Sequence, residues 1–528
     1  MRDVVVVGGG HNGLVCAAYM TMAGLDVEVL ETNESPGGCI WTETTGTGHR
    51  LELGAIDLSM VEDVVADLRL VDHGLRLVGR EILVGAGFGD GTRLLFHSDL
   101  ESTVAGMEAI AVGDREAYRA FSGIAGKALD AFDAIPAVPT FGDVVRFSES
   151  MSSHVDLTRL LVSSAESVVA RWIADPHLAG TIGMYGAHGQ LPPWLPGTGL
   201  FALLLPGAHG NAVYRPEGGT VEFVNSIVAA IEAGGGSIRT GARVIGIKRR
   251  GETTTVELDD GDVVVTRRVV SSLDVRRTTE LLAEPPERLA AAAAAVRSGA
   301  LNVAELKVDL ALSVPATVVG GDADAALWML QERPDSLHTS FGEIVAGQLP
   351  TSVAMMWAAP SALDPSAAPE GGGTVWLSAF VPARLMGRSW DRAAEEEAAE
   401  RMLEGFARIV GTDLRPLTVD RRIIGPAGWE QRIGSRFGHP NHIDLTLDQL
   451  FGWRPPGVDG YRTELPWLYL TGAGTYPGGG VSGLPGRNTA ATLLSDLGSR
   501  PRRTHRLRRD MRGLWDAWGL YRSMRKQK

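Results

Sequence analysis

A glycine pattern in the first thirty residues restricts this chain to a small group of folds. Four valines at positions 4–7 run directly into the hexapeptide GGGHNG at positions 8–13, and small apolar residues follow at positions 14–18. A G-x-G-x-x-G spacing between an apolar strand and a helix is typical of a turn that binds a dinucleotide. A second apolar stretch at residues 27–30 ends in Glu31, whose carboxylate is placed to accept hydrogen bonds from ribose hydroxyls. The sequence therefore predicts a Rossmann-like nucleotide-binding unit at this end of the chain.

Each glycine of this pattern has a different physical task. Gly8 permits the tight turn, Gly10 lets the backbone approach a pyrophosphate, and Gly13 lets the helix pack on the strand. The helix N-terminus adds free N–H groups and the positive end of the helix dipole. We expect the cofactor to be bound by Gly8, Gly10, Asn12, Gly13 and Glu31.

Two further glycine clusters favour FAD over NAD as the dinucleotide. Gly37 and Gly38 follow Glu31 closely, and FAD-binding folds carry such a pair beside the pyrophosphate. Near the other end of the chain, residues 468–475 (LYLTGAGT) and 477–483 (PGGGVSG) predict a strand, a close-approach loop and a helix at about residues 488–497. We expect this loop to contact the flavin through Gly472, Ala473, Gly474, Gly480 and Val481.

With these motifs the chain resembles the phytoene desaturase-like family of FAD-dependent oxidoreductases, in particular its pyridine nucleotide-disulfide oxidoreductase domain-containing branch. The resemblance rests on both glycine blocks, on Gly37 and Gly38, and on residues 214–220 (YRPEGGT) and 269–274 (VVSSLD), in the family's order. It implies an α/β fold, in which a Rossmann-like FAD-binding domain of the two-dinucleotide-binding type carries an interleaved α+β substrate domain. It also implies that the backbone of Val244 meets the adenine.

The chain departs from related flavoproteins at two positions. Many of them place an aspartate in the C-terminal loop to hold the ribityl chain, whereas this loop reads Gly472-Ala473-Gly474, as in the desaturase-like group. The family often has arginine after the glycine pair, and here Cys39 follows. The side chain that contacts the phosphates or the ring at that point is therefore left open.

The order of motifs predicts a discontinuous domain organisation. Residues 1–75, 215–285 and 460–498 are expected to form the FAD-binding domain, and residues 76–214 and 286–459 the substrate-binding domain. Within the latter, the pattern predicts a hairpin at 81–96, helices over 99–171, a long ordered loop at 183–211, strands at 302–312 and 374–381, and a helix at 391–410.

Composition excludes several classes of function and compartment. At 528 residues, of which 44% are hydrophobic, the chain is long enough for two or more domains. A net charge of −13 argues against bulk nucleic-acid binding, and no metal-ligand spacing is present. Two cysteines rule out a disulfide framework and fit a reducing compartment, and no stretch reaches the roughly 18 apolar residues of a membrane span. We expect a cytoplasmic protein with a small-molecule substrate.

The last thirty residues differ in character from the rest. Residues 500–528 carry a net charge of +9, and a predicted helix at 499–528 has one apolar face: Leu507, Met511, Leu514, Trp515, Trp518 and Tyr521. A basic amphipathic helix with aromatic residues is typical of contact with a membrane surface. Docking on the acidic body of the protein or on a partner subunit is the other interpretation, and the oligomeric state is left open.

The cofactor assignment predicts the type of reaction. A hydride leaves a substrate carbon for flavin N5, so that a small or lipophilic metabolite is dehydrogenated or desaturated. With one nucleotide fingerprint, an NAD(P)H domain is not expected, and the electron acceptor is oxygen, a quinone or another protein. An FAD-dependent alcohol or amine oxidase of secondary metabolism is an alternative. A non-enzymatic flavin-fold protein that binds lipids or partners is a second alternative, against which the intact glycines and Glu31 argue.

Oxidation of an O–H or N–H substrate needs a placed base, and histidines are the candidates. His442 precedes the C-terminal glycine block, and Asp444 or a backbone carbonyl is placed to orient its ring. His49 follows the Gly37–Gly38 pair, while His188 and His209 lie in the long loop. We expect His442, Asp444 and His49 to be the catalytic residues.

Overall fold

Two seven-stranded sheets organise the part of the chain that the structure describes. The structure is a computed structural model that describes residues 1–58, 60–133, 138–144, 157–211, 213–320 and 325–498. The predicted C-terminal helix at 499–528 lies outside the described residues.

The strands are numbered in chain order. Their bounds are β1 Arg2–Val7, β2 Val27–Leu30, β3 Thr42–Thr44, β4 Arg50–Glu52, β5 Leu77–Arg80, β6 Ile82–Phe88, β7 Arg93–His97, β8 Val213–Pro216, β9 Ser237–Arg239, β10 Val244–Arg250, β11 Thr253–Leu258, β12 Val263–Ser271, β13 Val303–Leu312, β14 Leu327–Gln331, β15 Met355–Ala358, β16 Gly373–Pro382, β17 Thr418–Ile424 and β18 Leu468–Leu470.

The α-helices of the described ranges are numbered in the same way. Their bounds are α1 His11–Met22, α2 Glu62–Asp67, α3 Leu100–Gly106, α4 Arg115–Asp133, α5 Leu157–Val162, α6 Ala165–Val169, α7 Pro176–Gly186, α8 Val221–Ala233, α9 Val275–Leu281, α10 Glu287–Ala295, α11 Ser336–Val345, α12 Pro360–Leu363, α13 Arg392–Val410, α14 Pro426–Ile433 and α15 Leu484–Asp496.

The first sheet is the nucleotide-binding one. Its parallel strands follow the order β9–β2–β1–β12–β18, and the antiparallel strands β11 and β10 continue from the first half of β12. The four valines of β1 are buried on both faces of the sheet, as a central parallel strand between two helical layers requires. The strands come from three distant chain segments, each of which lies within the range predicted for the FAD-binding domain. The domain boundaries themselves stay a prediction.

The second sheet has the strand order β17–β13–β16–β15–β14–β6–β7, with only β14 and β6 parallel. Along β13 and β16, successive side chains point to opposite faces of this sheet. One face packs on α13 in an apolar core that includes Leu306, Leu310 and Leu377. The opposite face carries Glu305, Lys307 and Asp309 of β13, and this is the face that backs the candidate active site described below.

Most predicted elements are present with shifted ends. The final helix begins at Leu484 rather than near residue 488, because Gly483 turns the chain at φ +71° and a proline is accommodated in the first helical turn. The predicted loop at 183–211 is partly helical: α7 continues to Gly186, and short 3₁₀ turns follow at Ala187–Gly189, Gly199–Leu203 and Pro206–Ala208.

Candidate active site

The N-terminal glycine turn forms one wall of a cleft at the carboxyl end of β1. The backbone N–H of Gly9 donates to Glu31 Oε2 over 2.7 Å, so the acidic residue at the end of β2 is tied directly to the turn. A Cβ added at Gly13 would lie 2.3 Å from the carbonyl oxygen of Gly8, which is far inside contact distance. The third glycine is therefore required for α1 to pack this close to the turn.

The Gly37–Gly38 pair lies directly against this turn. The N–H of Gly37 donates to the carbonyl oxygen of Gly9 over 2.8 Å, and a Cβ added at Gly38 would approach Gly10 Cα to 3.0 Å. Both residues have positive φ, +128° and +63°, a conformation that favours glycine. The structure thus brings together the two N-terminal glycine motifs that sequence spacing only places near each other.

The C-terminal glycine block closes the cleft from the other side. A Cβ added at Gly472 would lie 2.8 Å from the carbonyl oxygen of Ser272, the residue that also underlies Gly8 and Gly13. A Cβ added at Gly486 would lie 2.1 Å from the carbonyl oxygen of Asn12, so α15 packs against α1 with no room for a side chain. Residues from opposite ends of the sequence are therefore neighbours in the cleft.

Several backbone and side-chain groups in this cleft have open space or no partner. A Cβ added at Gly480 meets nothing within 4 Å, and one added at Gly10 meets its nearest atoms at 3.9 Å. Asn12 Oδ1, His442 Nδ1 and Thr471 Oγ1 are buried without a hydrogen-bond partner among the described residues. Buried polar atoms almost always have a hydrogen-bond partner, so we expect a ligand or water to bind to these groups. A glycine-lined cleft with unpaired polar atoms fits a dinucleotide such as FAD.

Val244 lies at the adenine end expected for such a ligand. The N–H of Ala242 donates to the carbonyl oxygen of Glu31 over 2.8 Å, and the N–H of Gly241 donates to that of Asn33 over 3.0 Å. These bonds place the start of β10 beside Glu31. The binding role of Val244 stays a prediction.

The buried guanidinium of Arg454 holds the C-terminal loop in place. It is 1% exposed and donates to the carbonyl oxygens of five residues: Ala473, Asn441, Ile443, Asp444 and Gln449. Burial lowers the pKa of Arg454 to about 9. This side chain clamps residues 441–449 to the loop that contains Ala473, a structural task that the sequence pattern does not reveal.

The predicted catalytic residues are placed in different surroundings. His442 lies against the Gly472–Gly474 loop, where Cβ atoms added at the two glycines would approach its side chain to 3.3 and 3.4 Å. Burial lowers the pKa of His442 to about 4, and nearby Asp274 opposes that shift. Asp444 accepts from the N–H groups of Gly299 and Ala300 at 2.6 and 3.0 Å.

Asp444 pairs with His439 rather than with His442. His439 Nδ1 accepts from the N–H of Asn441 at 3.2 Å, which leaves its Nε2–H to face Asp444 Oδ1 at 3.3 Å. His49 lies apart from this group, and its nitrogens contact Thr47 Oγ1 at 2.9 Å and the carbonyl oxygen of Leu312 at 3.1 Å. The catalytic assignment of His442, Asp444 and His49 stays a prediction.

A chain of contacts leads from the glycine pair to the second sheet. The carbonyl oxygen of Cys39 accepts from Ala55 N–H at 2.9 Å, and the carbonyl oxygen of the preceding Gly54 accepts from the indole N–H of Trp376 at 2.8 Å. The Trp376 ring in turn lies 3.7 Å from Lys307 Nζ, measured to the ring centroid. The inward face of β13 and β16 therefore backs the cofactor cleft.

That face carries a buried ion pair. Lys307 Nζ donates to Asp309 Oδ1 at 3.0 Å and to the carbonyl oxygen of Leu377 at 3.1 Å, and both charged side chains are 1% exposed. Burial lowers the pKa of Lys307 and raises the pKa of Asp309, while their mutual attraction opposes both shifts. Sequence periodicity predicts this strand, but the alternating charged residues Glu305, Lys307 and Asp309 inside an otherwise apolar strand are the only sequence signal of the pair.

Glu305 lies further along the same face and accepts a hydrogen bond from the Ser378 hydroxyl. Its charge contributes to raising the pKa of the Cys39 thiol on one side, and it opposes the lowering of the pKa of His188 on the other. The Cys39 thiol, which follows the glycine pair, has its pKa raised to about 11, chiefly by burial, and lies 3.7 Å from His11 Nδ1. Glu305 is therefore close to both Cys39 and His188, and it is the one of these three residues that sequence reasoning missed.

Comparison with known proteins also indicates a flavin-dependent oxidoreductase. The family described as flavin containing amine oxidoreductase matches residues 13–483. Pyridine nucleotide-disulfide oxidoreductase domain-containing protein 2 of Rattus norvegicus is 26% identical over 555 residues, with 94% of each chain covered. The lycopene-forming phytoene desaturase of Pseudescherichia vulneris is 26% identical over 509 residues, with 94% of this chain and 100% of that protein covered. These matches confirm the predicted resemblance.

A solved structure of wild-type putrescine oxidase bound to putrescine superposes with a TM-score of 0.60 at 18% identity. The superposition covers 94% of this chain and 99% of that one, and it confirms the predicted α/β fold class. Within the described ranges, no helix combines the length and apolar character that a membrane crossing needs.

Proposed function

The chain belongs to the family of flavin-containing amine oxidoreductases and is an FAD-dependent oxidoreductase, and we propose that it dehydrogenates a small polar metabolite. The predicted enzyme class and the predicted FAD cofactor are thereby confirmed. The reaction class is removal of a hydride from a substrate carbon. The substrate's polarity and the residues that hold cofactor and substrate are the proposed part.

Binding of FAD is assigned to the glycine cleft. The N-terminus of α1, with Gly8, Gly10 and Gly13, holds the pyrophosphate through backbone N–H groups, and Glu31 accepts from the ribose. FAD supplies the hydride acceptor of the reaction when bound. The remaining members of the proposed cofactor site are Asn12, Gly37, Gly38, Val244, Gly472, Ala473, Gly474, Gly480 and Val481.

The observation that carries the proposed substrate class is the charged inward face of β13. A cavity for a long hydrocarbon needs an apolar lining, because burying a charge against hydrocarbon without a partner costs several kcal/mol. Here the partly buried Glu305 and the buried Lys307–Asp309 pair occupy that face, and Glu305 is near enough to His188 to oppose the lowering of its pKa. These groups support a substrate that carries hydrogen-bonding or charged groups.

Anaerobic bleaching of the FAD absorbance tests this proposal. Purified holoprotein is mixed with a library of amines, alcohols and hydroxy acids and, in parallel, with detergent-solubilised polyenes. We expect at least one polar compound to bleach the flavin and the polyenes to leave it oxidised. Bleaching by polyenes alone would contradict the proposed substrate class.

A matched pair of variants tests the role of Glu305. Glu305→Gln removes the partly buried charge on the inward face of β13, and we expect the substrate concentration for half-maximal bleaching rate to rise about 10- to 100-fold, the range for a charge-assisted hydrogen bond. Glu287→Gln removes an exposed glutamate at the start of α10 and serves as the control. Equal behaviour of the two variants would remove Glu305 from substrate binding.

Oxidation of an amine is a second candidate within the same reaction class. Two carboxylates, Glu305 and Asp57, lie close enough to His188 to oppose the lowering of its pKa, and such a pair favours a cationic group. Release of ammonia or a primary amine during turnover distinguishes amine oxidation from desaturation.

The electron acceptor and the location of the protein belong to the same proposal. We propose that oxygen, a quinone or another protein reoxidises the flavin, that the protein is cytoplasmic, and that residues 499–528 bring it to a membrane surface or dock on a protein. Rates of reoxidation by air and by a soluble quinone separate the first two acceptors. Co-sedimentation with anionic vesicles, compared between the full chain and a chain ending at residue 498, tests membrane contact.

A further inference from the structure

The turn after α7 presents an imidazole to an interior space. Near its end, α7 places the Tyr185 carbonyl oxygen 2.9 Å from His188 Nδ1, so Nδ1 carries the proton and Nε2 holds a free lone pair. The His188 side chain is accessible, yet it lies deep enough for desolvation to lower its pKa. Both properties together place the side chain at a recess of the protein, and the described residues offer Nε2 no hydrogen-bond partner.

The surroundings of His188 keep its ring neutral at rest and would stabilise the ring after it accepts a proton. Desolvation keeps the imidazole neutral at pH 7, which is the form that accepts a proton. Asp57 from the loop after β4 and Glu305 from β13 both raise its pKa and would stabilise the imidazolium once formed. Asp57 is itself held by Arg215, whose Nη2 donates to Asp57 Oδ1 at 2.7 Å.

Gln190 supplies an independent observation that this turn meets a ligand. Its side chain is 3% exposed, and neither Oε1 nor Nε2 has a hydrogen-bond partner among the described residues. The residue also adopts φ +59°, a left-handed conformation that is unusual for a non-glycine residue. An unpaired buried amide costs about 1–3 kcal/mol, so a polar group from outside the chain is expected to pair with it.

The turn lies next to the C-terminal glycine loop. A Cβ added at Gly189 would be 3.3 Å from Leu445 Cδ1, and one added at Gly478 would be 3.5 Å from Leu445 Cδ2. One leucine side chain thus separates the His188 turn from the loop assigned to the flavin. His442, in contrast, lies directly on the Gly472–Gly474 segment of that loop, on the cofactor side.

We propose that His188 Nε2 is the proton acceptor of the dehydrogenation and that the Gln190 amide hydrogen-bonds the substrate beside it. This inference rests on the proposed function. The substrate C–H bond breaks and its electron pair leaves with the hydrogen as hydride to FAD, which is thereby reduced. The bond between hydrogen and the neighbouring substrate atom also breaks. Its proton goes to His188 Nε2, and its electron pair becomes the new double bond of the oxidised product.

Chemical labelling tests the placement of His188 without a substrate. FAD-loaded protein is treated with diethyl pyrocarbonate, and carbethoxylated histidines are located by mass spectrometry. We expect His188 to react rapidly at pH 7, and His49 and His209, whose ring nitrogens are all hydrogen-bonded, to react slowly. A His188 that reacts as slowly as these two would overturn the inference.

Kinetics with a compound that bleaches the flavin test the chemistry. His188→Gln is expected to slow flavin reduction by 10²- to 10⁴-fold with FAD content unchanged, and added imidazole is expected to restore part of the rate in His188→Ala. His177→Gln, at the start of α7 and paired with Asp90 at 2.9 Å near the surface, is the control, and its flavin is expected to be reduced at the wild-type rate. Gln190→Leu is expected to raise the half-saturating substrate concentration at least tenfold with the limiting rate preserved.

The labelling and kinetic experiments together distinguish failure of this inference from failure of the proposed function. A flavin that is reduced at the wild-type rate in His188→Gln would overturn the inference while the proposed function stands. The same loss in His442→Gln with FAD retained, and none in His188→Gln, would move the role to His442. If no polar compound bleaches the flavin, the proposed function fails, and the labelling result alone supports or overturns the placement of His188.

Discussion

Replacement of Arg454 by methionine is expected to loosen the flavin loop and lower the stability of the whole chain. The guanidinium is the shared donor for five backbone carbonyls that come from the 441–449 segment and from Ala473. Methionine has a similar length and fills the space but donates no hydrogen bond. The variant therefore removes the donors without opening a large cavity.

The expected magnitude follows from the carbonyls left behind. Two of the five oxygens keep another donor, because Asn441 also accepts from the N–H of Ile443 and Asp444 also accepts from Gln449 Nε2. The other three buried carbonyls lose their donor at about 1 kcal/mol each, which amounts to about 3 kcal/mol. Removal of the buried cation returns part of this cost, because desolvation of a buried charge is itself worth a few kcal/mol. Its burial is visible in the pKa of Arg454, which is lowered to about 9. We expect a net loss of about 2 kcal/mol in the free energy of unfolding.

Urea unfolding followed by tryptophan fluorescence measures this loss, and titration of the apoprotein with FAD measures its consequence for binding. Arg392→Met is the control, because that side chain is 79% exposed and bonds only to Glu396 on its own helix. We expect the control to change the unfolding free energy by less than about 0.5 kcal/mol. If Arg454→Met is as stable as the control and binds FAD equally well, the carbonyl clamp does not hold the loop and the reasoning is refuted.

Three further predictions concern packing, protonation and buried charge. Gly486→Ala puts a methyl group 2.1 Å from a backbone oxygen of α1, and we expect this variant to lose bound FAD on gel filtration. Gly126→Ala is the control, because its methyl group meets nothing within 4 Å, and we expect this variant to keep bound FAD. The pKa values of His11 and His442 are both lowered to about 4, chiefly by burial, so the unfolded chain binds more protons between pH 6.5 and 4. Apoprotein stability is expected to fall as the pH is lowered through that window, by up to about 1.4 kcal/mol per pH unit for each of the two histidines, and His442→Gln should make the slope in urea titrations shallower by that amount. Lys307→Met strands a buried carboxylate and is expected to cost about 3–5 kcal/mol in urea unfolding, and an unchanged midpoint would refute the buried ion pair.

Sequence patterns were most informative where a local rule has one physical solution. The glycines at positions 8, 10 and 13 stand between an apolar strand and a helix, and the structure has β1 and α1 at those positions. The strands predicted at 302–312 and 374–381 are β13 and β16, displaced by at most one residue at each end. Helix starts were less certain, because Gly483 and the proline that follows it are consistent with a loop until the turn geometry is known.

The substrate side of the site shows the limit of local reasoning. His442 and His188 are both single histidines near loops, and nothing in their sequence neighbours separates them. Their surroundings differ through contacts that are distant along the chain: His442 lies on the Gly472–Gly474 loop, while His188 is close to carboxylates from β13 and from the loop after β4. Asp444 faces His439, five positions earlier in the chain, although His442 is nearer to it in the sequence.

The sequence by itself determined the nucleotide-binding unit, the FAD cofactor and the class of oxidoreductase, because glycine spacing and strand–helix order are local and admit few alternatives. The tertiary structure decided which distant groups meet: the packing of α15 on α1, the Arg454 clamp, the Lys307–Asp309 pair behind the cleft and the His188 turn beside it. The reason is that burial and charge proximity set the protonation and partners of these side chains. Both quantities depend on the whole fold rather than on neighbouring residues in the chain.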